Sequence, residues 1–203
     1  MSFFDNPKNF GLAAVIIGIV SLITGIVNAV NAAIADPMLE GALVASVGTI
    51  LYGILILGIG LPIYRGEDTN TLSILGKFVR FVGVATIVVN IFIGAGQIVD
   101  GDTAVGATTI VVGLILGLIL IWIAGRIVDG KVDTLDRIVW IILVVVFLIL
   151  TIFSLVGIFT AFMGDAEILD KALRSIISLC EFILYIFLLI GVLSDDVKTK
   201  MGM

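Results

Sequence analysis

The sequence contains no histidine, one cysteine and 3 prolines among 203 residues. Without histidine there is no ordinary imidazole base and no imidazole metal ligand. A single cysteine cannot close an intrachain disulfide or build a thiolate metal cage. Charge is scarce too: 13% of residues are Asp, Glu, Lys or Arg, against about 25% in a soluble domain. The formal net charge of -5 is a sum over loop acids, and no basic patch supports nucleic-acid binding.

Apolar residues are abundant, at 61% with a mean hydropathy of +1.31, and there are 23 glycines. They gather in runs of about 20 or more residues, the length that carries a helix across a hydrocarbon core of about 30 Å. The runs cover 10–35, 41–64, 77–99, 103–125, 138–163 and 172–193. Ile and Val are frequent, yet runs this long without apolar/polar alternation read as helices rather than barrel strands of about ten residues. The expected fold is all-α: six transmembrane helices in a single domain over residues 1–203, with connections at 36–40 and 100–102 too short for a further domain. Ala33, Ile34 and Ala35 before Asp36 have the small-x-small spacing of a signal-peptidase site. The apolar run before them is longer than a signal h-region of about 7–15 residues, so it is retained as a helix.

Basic residues set the expected orientation. One side receives Lys8, Arg65, Lys77, Arg80, Arg126, Lys131, Arg137, Lys198 and Lys200, the other only Lys171 and Arg174. Both termini are therefore expected in the cytoplasm, with the protein in the cell membrane. The outer turns hold Asp36, Glu40, Asp100, Asp102, Asp165, Glu167 and Asp170, which read as solvated turn residues before they read as a cation-attracting vestibule. Trp122, Trp140, Tyr64 and Phe81 lie near the cytoplasmic ends of spans, as interfacial anchors.

The chain also divides into three helical hairpins, approximately 10–75, 76–137 and 138–203, the first two matching best. Gly60 to Leu72 aligns with Gly125 to Leu135 after a short gap, and Asp36 to Gly41 with Asp100 to Gly106. The third hairpin keeps the acidic turn at Gly164 and Asp165 but few membrane glycines. Each hairpin starts and ends on one side, so the repeats are parallel and can close as a compact bundle. The Pro-x-acid-x-x-base signature of mitochondrial carriers is absent from the odd-numbered helices. Gly11 and Gly18, then Asp36-Pro37, then Gly41, Gly48 and Gly53 resemble the hairpin repeat of HdeD-type membrane proteins. The resemblance covers the layout of all six helices and the residues of the first two hairpins. It implies a small integral membrane protein linked to stress resistance, with no catalytic residues to carry over.

Within lipid, helices associate through small residues and interhelical hydrogen bonds. The first run carries Gly11, Gly18 and Gly25 seven apart, beside Ser21, Thr24, Asn28 and Asn31. The third carries Gly83, Thr86, Asn90, Gly94 and Gln97, and the fourth Gly106, Gly113 and Gly117, the last two as GxxxG. Gly18, Gly25, Gly113 and Gly117 are the candidate packing glycines. The Asn/Gln stripes are expected to face the protein interior, since a carboxamide in lipid loses its hydrogen-bond partners. Glu181 is the one acid well inside a span, with Ser178 and Tyr185 on its face and Lys171 and Arg174 continuing the stripe outward. An ionisable group at that depth costs about 2.5–3.5 kcal/mol on insertion scales and marks a candidate functional residue. Facing Asn28, Asn90 or Gln97 it would be a proton or cation site; paired with another helix or subunit it would be structural. Cys180 points about 100° away from Glu181 on a helix and reads as a packing residue.

No phosphate-binding lysine loop, dinucleotide fingerprint or pair of catalytic carboxylates appears, and Gly94 and Gly96 are packing glycines. No enzymatic activity, cofactor or metal is expected. The leading expectation is a noncatalytic structural or accessory membrane protein, surrounded by lipid and associating with itself or with other membrane subunits. The fifth run, almost free of polar side chains, is the most lipid-exposed helix or the surface that joins an assembly. The alternative is a small proton, cation or solute transporter or channel using Glu181 and the Asn/Gln stripes. Convergence of those stripes on one hydrated cavity favours transport, and dry glycine-lined helix contacts favour a scaffold.

Overall fold

The computed structural model describes residues 3–129, 132–160 and 168–203, without the side chains of 168–170. A 3-10 turn (Phe3–Asp5) precedes α1 (Pro7–Ile34), α2 (Glu40–Arg65), α3 (Thr71–Val99), α4 (Thr103–Val128), α5 (Thr134–Thr160), α6 (Ile168–Val192) and a short α7 (Asp195–Lys200). The fold is all-helical, with no strand among the described residues. Helices α1 to α6 are each long and apolar enough to cross a membrane.

Several helix ends extend past the apolar runs because caps, not hydropathy, terminate them. Helix α3 starts at Thr71 rather than at 77, since the Asn70 Oδ1 accepts the Ser73 N–H at 3.0 Å. Lys77 therefore lies one turn and more inside the helix and reaches back to Asp68 at 2.5 Å. Helix α5 starts at Thr134 rather than at 138, behind an N-cap at Asp133 described below. Helices α2 and α3 end alike. The Gly66 N–H bonds Ile63 O and the Glu67 N–H bonds Pro62 O; the Gly101 N–H bonds Ile98 O and the Asp102 N–H bonds Gln97 O. These are Schellman ends, and they need φ of +79° at Gly66 and +96° at Gly101, which glycine adopts without a Cβ clash. The expected end of the fifth run at 163, the acids Asp165 and Glu167, the Asp170 side chain and Lys131 lie outside the described residues.

The chain forms two compact units. Unit 1 is Met1–Ile17, Ile59–Lys77 and Ala124–Met203; unit 2 is Gly18–Gly58 and Phe78–Ile123. Helices α1 to α4 each contribute a segment to both.

In unit 1, α5 buries one stripe, Asp136, Val139, Leu143, Phe147 and Ser154, at intervals that keep one face of a helix turned inward. Helix α6 buries Cys180, Leu184, Phe187, Leu188 and Val192 in the same rhythm, and the two helices pack along their lengths. Phe187 meets Phe10 at a tilt with ring centroids 4.9 Å apart, and Phe182 meets Phe4 edge-on at 6.0 Å. Trp140 is not a free interfacial anchor, because its indole N–H donates to the Val192 carbonyl at 2.9 Å and ties α5 to the end of α6. Helix α7 is held by Val197, with Met201 just past its end, both fully buried.

In unit 2, Phe81 faces inward. It is buried, with Tyr52 and Phe78 each 5.6 Å away between ring centroids. An aromatic ring on the inward face of a glycine-rich helix fills the volume that the glycines leave. Asp100 caps the start of α2, its Oδ1 accepting the Gly41 N–H at 3.2 Å, where a carboxylate complements the helix dipole.

Candidate functional site

Helices approach one another closely at glycines. In unit 2 a Cβ built at Gly18 would stand 3.0 Å from the Gly53 carbonyl oxygen, and one at Gly53 would stand 2.8 Å from that of Gly18. Gly25 faces Ile50, where a Cβ would come within 2.6 Å of Cγ1. On α3 and α4 the same device recurs: Gly83 and Gly117 oppose each other's carbonyl oxygens at 2.7 and 2.6 Å from such a Cβ, and Gly94 opposes Gly106. Gly113 lies under the Asn90 side chain, with Cγ 2.8 Å from the missing Cβ. Unit 1 repeats the motif where Gly60 abuts Ala14, with 2.8 Å between Cβ positions. Backbone thus meets backbone along both hairpins, which gives dispersion contact that side chains would prevent.

The polar stripes are dispersed. Asn28 and Asn31 face outward on this chain, which corrects the expectation that the whole stripe points inward. Each residue turns about 100° on a helix, so Asn28 is rotated about 60° and Asn31 about 120° from the buried Gly25. Their depth makes this tolerable. Asn31 and Asn28 lie roughly 5 and 9 Å along the axis from the end of α1, close to the wet interfacial zone. They line an open groove of about 450 Å³ with Ala45, Ser46, Thr49 and Ile93. Asn90 lines a different groove of about 490 Å³, with Thr108, Thr109 and Val112. Its amide donates to the Thr86 carbonyl of its own helix at 2.8 Å, while the Gln97 Oε1 accepts the Thr109 hydroxyl at 2.9 Å across α3 and α4. Unit 2 therefore satisfies much of its polar content locally.

Glu181 sits in unit 1, midway along α6 and half-buried, and makes no hydrogen bond or ion pair with a described residue. It is not among the residues lining the grooves of Asn28, Asn31 or Asn90. Tyr185, one turn on, is half-buried and engaged by a neighbour. Ser178 lies in a smaller groove against Gly157, whose missing Cβ would stand 2.8 Å from Oγ. Cys180 is buried in the α6 stripe. Among the described residues no group of three or more His, Cys, Asp or Glu could hold a metal ion.

The densest charge cluster of unit 1 escaped the sequence reading. Asp133 Oδ1 accepts the N–H groups of Leu135 (2.8 Å) and Asp136 (3.2 Å), and Asp136 Oδ2 accepts the Asp133 N–H at 2.9 Å. This is a reciprocal capping box built from two aspartates. Arg126, in the last turn of α4, pairs with Asp133, with the fully buried Asp136 at 3.1 Å and with Asp129 at 3.3 Å. Lys200 on α7 reaches Asp129 at 3.4 Å. The signal was present as Asp-x-x-Asp before an apolar run, with an arginine ten residues upstream of the second acid.

These pairs carry a pH dependence. The hydrogen bond from Arg126 holds the Asp133 carboxyl below its ordinary value of 3.8. Burial pushes Asp68 up, but hydrogen bonds from Lys77 and Ser73 and the Lys77 charge outweigh it and leave Asp68 below 3.8 as well. A carboxyl whose folded pKa is depressed stabilises the fold fully above the unfolded value and loses that contribution as pH falls through the folded one. The melting temperature in detergent is expected to hold from neutral pH to about 5 and to fall below about 4. A profile flat to pH 2 would remove both acids from the stability of the fold.

Six helices of spanning length and apolarity define a polytopic integral membrane protein. No protein-family model, curated protein or solved structure matches the chain.

Proposed function

We propose that the protein is a noncatalytic structural or accessory membrane protein that associates with itself or with other membrane subunits. The observation that carries this reading is the glycine seam. Gly18 with Gly53, and Gly83 with Gly117, bring helix backbones together dry, while Asn28 with Asn31, Asn90, and Gln97 go to separate places rather than one cavity. The excess of basic residues beside both termini supports a cytoplasmic placement for them in the cell membrane. The three-hairpin repeat and the HdeD-type resemblance belong to the same reading, of a small helical block without catalytic residues.

Native mass spectrometry of the protein gently extracted from its own membrane tests the proposal. A stable homo-oligomer, or a complex with other membrane chains, is the expected result. A bare monomer that moves a solute in proteoliposomes would overturn it.

A second reading rests on Glu181, an acid at mid-helix with no hydrogen bond or ion pair to a described residue. If it carries protons or cations, Glu181→Gln abolishes flux with the melting temperature unchanged, because the amide keeps hydrogen-bonding capacity but does not titrate. Flux equal to that of the parent chain sinks this reading.

A further inference from the structure

The hairpin of α5 and α6 contains a groove of about 280 Å³ lined by Gly157, Thr160, Arg174, Ile177 and Ser178. All of it lies in unit 1. Arg174 and Ser178 are spaced i and i+4, so both project over one face of α6. Arg174 is exposed and makes no ion pair with a described residue; the Ser178 hydroxyl makes no hydrogen bond with one. The Thr160 hydroxyl is already spent on the Gly157 carbonyl at 3.3 Å. Gly157 leaves the floor open down to Ser178 Oγ.

Depth decides what such a groove meets. Arg174 stands six residues into α6, roughly 9 Å from its first residue, and a helix of 25 residues exceeds a hydrocarbon core of about 30 Å by only a few Å at each end. An arginine there extends its guanidinium to the level of lipid phosphates while its stem stays among acyl chains. The flanks suit those chains, since Val156, Phe159 and Ile176 are exposed and apolar. Among the described residues the lining offers a cation and a hydroxyl donor but no carboxylate. A headgroup that brings its own cation finds no counter-charge among these residues, whereas a phosphodiester with an uncharged headgroup finds a guanidinium fork and a hydroxyl.

We infer that this groove binds one anionic phospholipid, its phosphodiester on Arg174 and Ser178 and its acyl chains along α5 and α6. The site requires only that the helices lie in a bilayer, so it stands whichever reading of the function holds.

The test uses the full chain in detergent, titrated with short-chain phosphatidylglycerol, phosphatidylcholine or inorganic phosphate, with bound molecules counted by native mass spectrometry. One phosphatidylglycerol is expected to bind preferentially, and Arg174→Gln to weaken it by about tenfold, the size of one charge-assisted contact. Ser178→Ala weakens it by a smaller factor, Arg174→Lys restores part of the loss, and Arg80→Gln, outside the groove, changes nothing. Melting in lipid-free detergent, equal for the parent and Arg174→Gln, separates binding from folding. Should Arg174→Gln fail to fold, the Ser178→Ala and Arg174→Lys titrations decide alone. Equal retention of phosphatidylcholine, equal binding by Ser178→Ala and the parent, or a phosphate adduct as strong as the lipid's would overturn the assignment, the last making the groove a site for free anions.

Discussion

Replacing Gly117 with leucine is expected to unseat the α3–α4 hairpin. A Cβ at that position meets the Gly83 carbonyl oxygen at 2.6 Å, and a backbone carbonyl inside a helix cannot rotate away as a side-chain tip can. The added isobutyl group then requires the helices to separate toward the usual 8–10 Å axial spacing, about the distance that ordinary side chains impose. Overpacking of this kind costs on the order of 1–3 kcal/mol, and the upper end applies where the obstacle is backbone. Gly125 and Gly58 supply the control, because nothing lies within 4 Å of a Cβ built at either. Alanine there removes backbone freedom without a clash, so no loss is expected, and a gain of up to about 1 kcal/mol is allowed by helix propensity. Thermal melting in one detergent ranks the three variants. Gly117→Leu melting with the parent chain would mean that the seam does not hold the hairpin.

Arg126→Gln carries the second large effect, because it strands Asp136. That carboxylate is fully buried, and its Oδ1 has no hydrogen bond, only the ion pair with Arg126. Removing one member of a buried pair leaves the other charged and unsolvated, which is worse than removing both. The melting temperature of Arg126→Gln is expected to fall by roughly 5 °C or more. Adding Asp136→Asn to Arg126→Gln should recover part of that loss, since the amide still accepts the Asp133 N–H yet carries no charge. If the double variant is no more stable than Arg126→Gln, Asp136 is not the stranded group.

The spans were legible because length and hydropathy are properties of a chain before it folds, and over its described residues every apolar run lies within a helix of spanning length, save Ala35 and Leu193, each one residue past a helix end. Their ends were less so. Thr71 and Thr134 begin helices several residues ahead of the apolar runs because Asn70 and Asp133 supply side-chain acceptors, and hydropathy does not weigh a cap. The 3-10 turn is too short, and α7 too short and too polar, to show as runs. Direction on a helix was the harder problem. Gly25 and Asn28 look like one stripe at a spacing of three, yet about 60° of rotation separates a buried glycine from an outward amide. Phe81 and Trp140 were read by position alone, and their partners, Tyr52 and the Val192 carbonyl, come from other helices.

The seven-residue beat of Gly11, Gly18 and Gly25 has a consequence for how this architecture tolerates change. Between those beats α1 presents exposed Leu12, Ile19 and Ile23, which can exchange for any aliphatic residue of similar solubility in lipid. A saturation library should therefore show a sparse, metronomic pattern: narrow intolerance at the glycines and broad freedom on the outward faces. Two chains could then share the whole bundle while agreeing at few positions besides the glycines. A search keyed to glycine interval, rather than to residue identity, is the instrument suited to finding its relatives.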